Sequence, residues 1–183
     1  MSNVVLVGFM GTGKSAVGKL LARRLNRPFI DLDRQIEKEA GRSVQQIFER
    51  DGEPAFRRLE AKAVREAAAL KEHVIATGGG VMCDEKNVQV LKASGILVCL
   101  TASPDVILER TSASLASRPL LAPLDHGLTG PAGGDPKDRI EALLKLRAPY
   151  YAQADITIDT GGRTLQQLVE EILCKIETFK PSR

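Results

Sequence analysis

The chain has 183 residues and a mass of 19.8 kDa, 43% hydrophobic and 27% charged, an ordinary globular composition for one compact domain. Lys plus Arg is 26 against 23 Asp plus Glu, and a net charge of +3 is too small for a nucleic-acid binder; 4% aromatics and no Trp also leave no base-stacking platform. No apolar run approaches the ~18 residues of a membrane span, and the first ten residues lack the basic start of a signal peptide.

The predicted elements alternate along the chain. A short apolar strand over residues 4–7 is followed by Gly8-Phe9-Met10-Gly11-Thr12-Gly13-Lys14-Ser15, a match to GxxxxGK[ST], and then by a helix over 15–25 with Val17, Leu20, Leu21 and Leu25 on one face. In that context the glycines let backbone N–H groups turn inward around phosphate oxygens, and the helix aims its positive end at them. Lys14 then neutralises the β- and γ-phosphates, and the Ser15 hydroxyl ligates Mg²⁺. A nucleotide switch or motor would use the same loop.

A second strand over 29–31 ends in Asp31-Leu32-Asp33. In an extended segment the two acids, two residues apart, face one side, so either can serve the metal, through water. Alternatively, Asp33 simply caps the next helix, expected over 33–40 and stopped by Gly41. Ser43 with Gln46 is a capping-box pattern opening another helix, and Pro54 fits the first turn of a further one over 55–70. Arg57 and Arg58 on that helix diverge by ~100°, so only one can enter a given cleft; each alone reads as a surface charge.

A third strand over 74–77 runs into Gly78-Gly79-Gly80, which allows backbone to approach a ligand closely or makes a plain tight turn. Helices are expected over 84–94, 104–111, 136–148 and 164–179, and strands over 96–100 and 156–158. Short, continuously apolar strands alternating with helices predict an α/β fold, a parallel sheet covered on both faces. Residues 112–135 break the pattern. The Gly- and Pro-rich part reads as a functional lid or a disordered insertion. Arg118, beside Pro119-Leu120-Leu121, can swing onto an anion. Arg147 lies near the end of its helix, before Ala148-Pro149-Tyr150-Tyr151. Cys83, Cys99 and Cys174 form no CxxC pair, and with His73 and His126 they give no zinc-ligand spacing. They read as buried apolar groups in a reducing cytoplasm.

Taken together, GFMGTGKS, the DLD segment, GRSVQQIFERDGEPAFRRLE over 41–60, ATGGG over 76–80, SRPLL over 117–121 and LRAPYYAQADITIDT over 146–160 resemble the shikimate kinase family, in the family's order and over almost the whole chain. The block over 41–60 is far more specific than the phosphate loop. The resemblance implies a three-layer α/β/α kinase fold of the nucleoside-monophosphate-kinase type, with a five-stranded parallel sheet. It also implies a single domain over 1–183, with a substrate-binding helical region near 33–61 and a mobile lid near 112–136. The implied reaction is MgATP-dependent phosphorylation of shikimate on its 3-hydroxyl, giving ADP and shikimate 3-phosphate for aromatic amino acid biosynthesis. By the resemblance, Gly11, Thr12, Gly13, Lys14, Ser15 and Ala16 hold the nucleotide, with Arg118 on the transferring phosphoryl and Arg163 near the adenine. Ser15 and, through water, Asp31 serve Mg²⁺. Asp33, Arg57, Gly78, Gly79, Gly80 and Arg147 bind the substrate, the two arginines clamping its carboxylate. Lys14, Asp33 and Arg118 are the catalytic candidates, Asp33 as a candidate base. A monomer is expected, with shikimate and ATP as its partners and neither nucleic acid nor membrane.

Two features depart from the family pattern. Ala16 stands where Thr is frequent, and the span between Arg118 and Arg147 is longer than usual. A gluconate- or nucleoside-monophosphate-kinase-like enzyme fits the phosphate loop equally, but the FRRLE and RAPYY segments argue against it. A non-catalytic nucleotide-binding relative would have lost Lys14, Asp33 or Arg118, and all three are present.

Overall fold

The computed structural model describes residues 2–112 and 135–179. Five strands form one parallel sheet in the order β2-β3-β1-β4-β5, comprising β1 (Asn3–Val7), β2 (Phe29–Asp31), β3 (Val74–Ala76), β4 (Gly95–Thr101) and β5 (Ile156–Asp159). The helices are α1 (Lys14–Leu25), α2 (Leu32–Ala40), α3 (Val44–Ala69), α4 (Glu85–Ser94), α5 (Pro104–Thr111), α6 (Pro136–Tyr151) and α7 (Leu165–Thr178).

The strand period of two divides the core. Val5 and Val7 point into one apolar layer with Ile75, Leu97 and Cys99; Val4 and Leu6 point into the other with Val98 and Leu100. Helices α3, α4 and α6 cover the first layer, and α1 and α7 cover the second. All of β1 is therefore buried, as its unbroken apolar run predicts. The edge strand β5 departs from that expectation: Ile156 and Ile158 are buried but Thr157 and Asp159 are exposed, because only one of its faces is covered.

Local signals set the helix ends. Ser43 and Gln46 form the reciprocal capping box that opens α3. The span α3 holds the two helices expected on either side of Pro54, which meet at a kink where Gly52 adopts the non-helical φ 79°, ψ 168°, a conformation that glycine alone adopts freely. Helix α2 begins at Leu32, one residue earlier than the sequence predicts, because Asp31 rather than Asp33 caps it, accepting from the Arg34 N–H at 3.4 Å. Helix α6 continues through Pro149 to Tyr151. Tertiary bonds from its last turns hold it there, as described next.

Candidate functional site

Ligands of parallel α/β sheets sit beyond the carboxyl ends of the strands. At that edge β1 turns into the phosphate loop, β2 ends in Asp31 and β3 runs into the three glycines. Gly11 (φ 76°) and Gly13 (φ 94°) take positive φ and curl the loop, and Gly13 caps α1 without a side chain. The Thr12 hydroxyl donates to the Phe9 carbonyl at 2.7 Å. The Lys14 ammonium, 9% exposed, donates to the carbonyls of Gly8 at 2.9 Å and Phe9 at 2.8 Å. It is thus held over the mouth of the nest. Ser15 Oγ donates to Asp31 Oδ2 at 2.6 Å. These two hard oxygens suit a hard divalent cation that keeps waters and phosphate as its other ligands. Among the described residues no cluster of three His, Cys, Asp or Glu offers a fuller protein cage.

A pocket of about 350 Å³ opens over this loop, and Lys14, Ser15, Ala16, Asp31 and Asp33 all line it. The two acids face one cleft as expected, by a different geometry. Asp31 closes a strand and caps a helix, and Asp33 sits in that helix's first turn. Arg110 of α5 also lines the pocket, pinned by Thr160 through its Oγ1 and its carbonyl, both at 2.9 Å. The sequence carried no signal for Arg110. Arg163, in contrast, bonds the Asp159 carbonyl at 3.3 Å and the Gln167 carbonyl at 3.4 Å and pairs with Glu171, tying the β5–α7 turn to α7.

The three glycines are a meeting point as well as a turn. A side chain at Gly78 would lie 2.7 Å from Asp33 Oδ1 and 3.1 Å from Glu60 Oε1. One at Gly79 would lie 3.3 Å from the Met10 nitrogen of the phosphate loop, and one at Gly80 would lie 2.6 Å from Arg57 Nη1. Glycine here permits three groups to close on one stretch of backbone. Arg147 is fully buried, over the Phe9 ring at 5.6 Å, and donates to the Gly79 carbonyl at 3.4 Å. The Tyr151 hydroxyl donates to the same carbonyl at 2.6 Å. Arg57 and Arg147 therefore reach adjacent glycines, Gly80 and Gly79; Arg58 is exposed, as its divergence from Arg57 requires.

Arg57 is held by two acids that the sequence reading passed over. Glu53 Oε1 accepts from Nε at 3.1 Å and Nη2 at 2.9 Å, and Glu60 Oε2 accepts from Nη1 at 2.8 Å. Burial works against the charge on Arg57, but the carboxylates of Glu60 and Glu53 overcome it and raise its pKa. Burial pushes the Glu60 carboxyl up, Arg57 opposes this and Asp33 adds to it. Cys83 is pushed up by burial, with Arg147 and Arg57 close enough to oppose it; Cys99 is pushed up to about 11 in the same way. Neither is an activated thiol, and of the three cysteines expected to be buried only Cys99 is, with Cys83 half-buried and Cys174 exposed. Arg118 lies outside the described residues, as does most of the expected lid.

The edge thus holds two compartments. One is a nest with a lysine and hard oxygens, suited to a polyphosphate; the other is a pair of arginines, Arg147 buried and Arg57 partly exposed, suited to a small anion. That division is the layout of a small-molecule kinase of the phosphate-loop class. A family model described as shikimate kinase matches residues 10–177. A shikimate kinase of Caldanaerobacter subterraneus subsp. tengcongensis is 47% identical over 173 residues, 94% of this chain and 95% of that protein. One of Symbiobacterium thermophilum is 46% identical over 96% of both chains. Among solved structures, a shikimate kinase from Acinetobacter baumannii in complex with shikimate superposes with a TM-score of 0.87 at 36% identity, over 98% of this chain and 96% of that one. A gluconokinase from Sinorhizobium meliloti, at 16% identity and a TM-score of 0.56, shares only the fold. The chain belongs to the shikimate kinase family.

Proposed function

We propose that the protein transfers the γ-phosphoryl group of ATP to the 3-hydroxyl of shikimate. The observation that carries this reading is the convergence of Arg57 and Arg147 on Gly80 and Gly79, one backbone step from a nest that carries Lys14. Two arginines make a planar clamp for a carboxylate, fixing orientation as well as charge. The Gly78–Gly80 backbone offers N–H donors alongside. Asp33, which lines the pocket over the phosphate loop together with Lys14 and Gly79, accepts a hydrogen bond from the reacting hydroxyl and orients it toward the phosphoryl group. The nest N–H groups and Lys14 bind the polyphosphate and carry the charge that builds on it. Ser15 and, through water, Asp31 would hold Mg²⁺, which shields the β- and γ-oxygens when bound. Arg118 is assigned to the transferring phosphoryl and Arg163 to the adenine end. The α2–α3 region acts as the acceptor-binding part of a single domain that works as a monomer, and its free thiols suit a reducing cytoplasm.

An ADP-release assay with Mg²⁺, ATP and a panel of acceptors tests the reading. Turnover is expected with shikimate. Faster turnover with gluconate or a nucleoside monophosphate overturns the reading. Arg57→Ala is expected to raise the shikimate KM about 10²-fold, as removal of one member of a desolvated charge pair does.

A further inference from the structure

Arg57 is not waiting with an open hand. A guanidinium pairs with a carboxylate best along an edge that presents two parallel N–H groups. The Nε/Nη2 edge of Arg57 is already filled by Glu53 Oε1, at 3.1 and 2.9 Å. Nη1 is taken by Glu60 at 2.8 Å. The backbone of Gly80 closes on the same guanidinium: a Cβ there would sit 2.6 Å from Nη1, 2.9 Å from Nη2 and 3.0 Å from Cζ.

Charge gives the consequence. Glu60 interacts with Arg57, Arg147 and Asp33, so the cluster holds two guanidinium groups against the carboxyls of Glu53, Glu60 and Asp33. A ligand carboxylate arriving on Arg57 adds a fourth acid to two cations in a partly buried place, an arrangement that is unfavourable unless a carboxylate leaves. The two internal acids paired with Arg57 are not equally able to leave. The Glu60 side chain is 2% exposed, and its Oε1 is buried with no hydrogen-bond partner among the described residues. Glu53 is 14% exposed and follows directly on Gly52, where α3 is bent by a positive φ. A change of its side-chain rotamer alone would carry its carboxylate toward water.

We infer that Glu53 is an internal stand-in for the substrate carboxylate, paired with Arg57 in the empty site and displaced from the Nε/Nη2 edge when an acidic acceptor binds. Glu60 stays and keeps the guanidinium plane fixed during the exchange. Glu53 is then a selectivity device. An acceptor without a carboxylate has nothing to exchange for it, so the pair remains closed and such a ligand gains no charge contact from Arg57. This inference rests on the assignment of Arg57 to the acceptor carboxylate.

Titration calorimetry without nucleotide tests it, using shikimate and its methyl ester on the wild type, Glu53→Gln, Glu53→Ala and Arg57→Ala. Removing the competing charge is expected to tighten shikimate binding about fivefold, the value of a partly exposed ion pair. Ester binding is expected to stay as it was, so the acid-to-ester preference rises. Weaker shikimate binding by both Glu53 variants makes Glu53 a buttress and overturns the exchange, as does unchanged binding. An equal gain for acid and ester overturns it too, since that gain would not come from charge competition. Arg57→Ala separates the two layers: if it leaves shikimate affinity untouched, the assignment of Arg57 itself fails, whatever Glu53 does. Unchanged nucleotide affinity in each variant reports an intact fold.

Discussion

The two compartments at the carboxyl edge of the sheet are built in opposite ways. The phosphate end is contiguous: residues 8–15 supply the nest, and its donors are backbone N–H groups set by Gly11 and Gly13. The acceptor end is assembled from side chains on three separate segments, with Glu53, Arg57 and Glu60 from α3, the glycines after β3, and Arg147 and Tyr151 from α6. A backbone site is insensitive to most side chains and depends on a few glycines. A side-chain site has the reverse weakness: each charged member needs another to keep it in place. On the proposed function, the first kind would serve a cosubstrate common to many kinases, and the second would carry the identity of the acceptor.

The largest expected effect breaks the phosphate end at the ammonium proposed to meet the polyphosphate. Lys14→Ala should lower shikimate-dependent kcat/KM by about 10³-fold or more, the scale of removing a charge poised on a transferring phosphoryl group. It also leaves the Gly8 and Phe9 carbonyls without the donor bonds at 2.9 and 2.8 Å. Thr12 still donates to the Phe9 carbonyl, so only the Gly8 carbonyl is at risk of being orphaned, at a cost of about 1–3 kcal/mol, and thermal melting should fall modestly as well. A variant that keeps its turnover would show that the nest alone supplies the charge stabilisation.

The same contrast explains what was legible in the sequence. The nest, Asp31 and the sheet could be read directly, because contiguous spacing or an apolar run carries each of them. The placement of the distal arginines rested on resemblance, yet a physical signal was present. Ile140, Leu143, Arg147 and Tyr151 fall on one face of α6, and all four are buried, so Arg147 occupies a core position of an amphipathic helix. Phe56, Glu60, Ala63 and Ala67 repeat the pattern on α3, with Glu60 as the intruder. A charge at a core position is held only by partners that the local sequence does not name. Arg110 gave no such signal, since its partner Thr160 is 50 residues away and on another element. The start of α2 at Leu32 lies one residue earlier than the sequence predicts because Asp31 does two jobs, ending β2 and capping the helix.

A smaller effect sharpens the comparison at the point where backbone and side chain meet. Gly80 has φ −102°, which any residue can adopt, so Gly80→Ala creates no backbone strain. Its new methyl would instead fall 2.6 Å from Arg57 Nη1. The guanidinium end can give way only by straining its bonds to Glu53 and Glu60, so the fold should stand with a modest drop in melting. The clamp, however, loses its position. The shikimate KM should rise about tenfold while the ATP KM holds, since a misplacement of about an ångström in a positioning group is costly to function. A matching rise in the ATP KM would mean that the two compartments are not separable at this glycine.

The smallest effect concerns the acid at the centre of the acceptor cluster, and its sign follows from burial. Glu60 has its pKa raised in the folded chain above the usual carboxylate value, with burial outweighing the attraction of Arg57. Between the unfolded and folded values the native chain therefore holds a proton that the unfolded chain has lost. The associated stability is complete below the unfolded pKa of about 4.5 and is lost as pH rises through the folded pKa. Gln at this position mimics the protonated acid and cannot ionise. Melting curves taken from pH 4 upward should therefore show Glu60→Gln gaining on the wild type as pH rises, with the smallest difference at the acid end. The opposite slope would show that Arg57 wins over burial and holds Glu60 charged throughout. Glu60 would then be a permanent half of an ion pair, and the acceptor end would carry the same fixed charge balance at every pH.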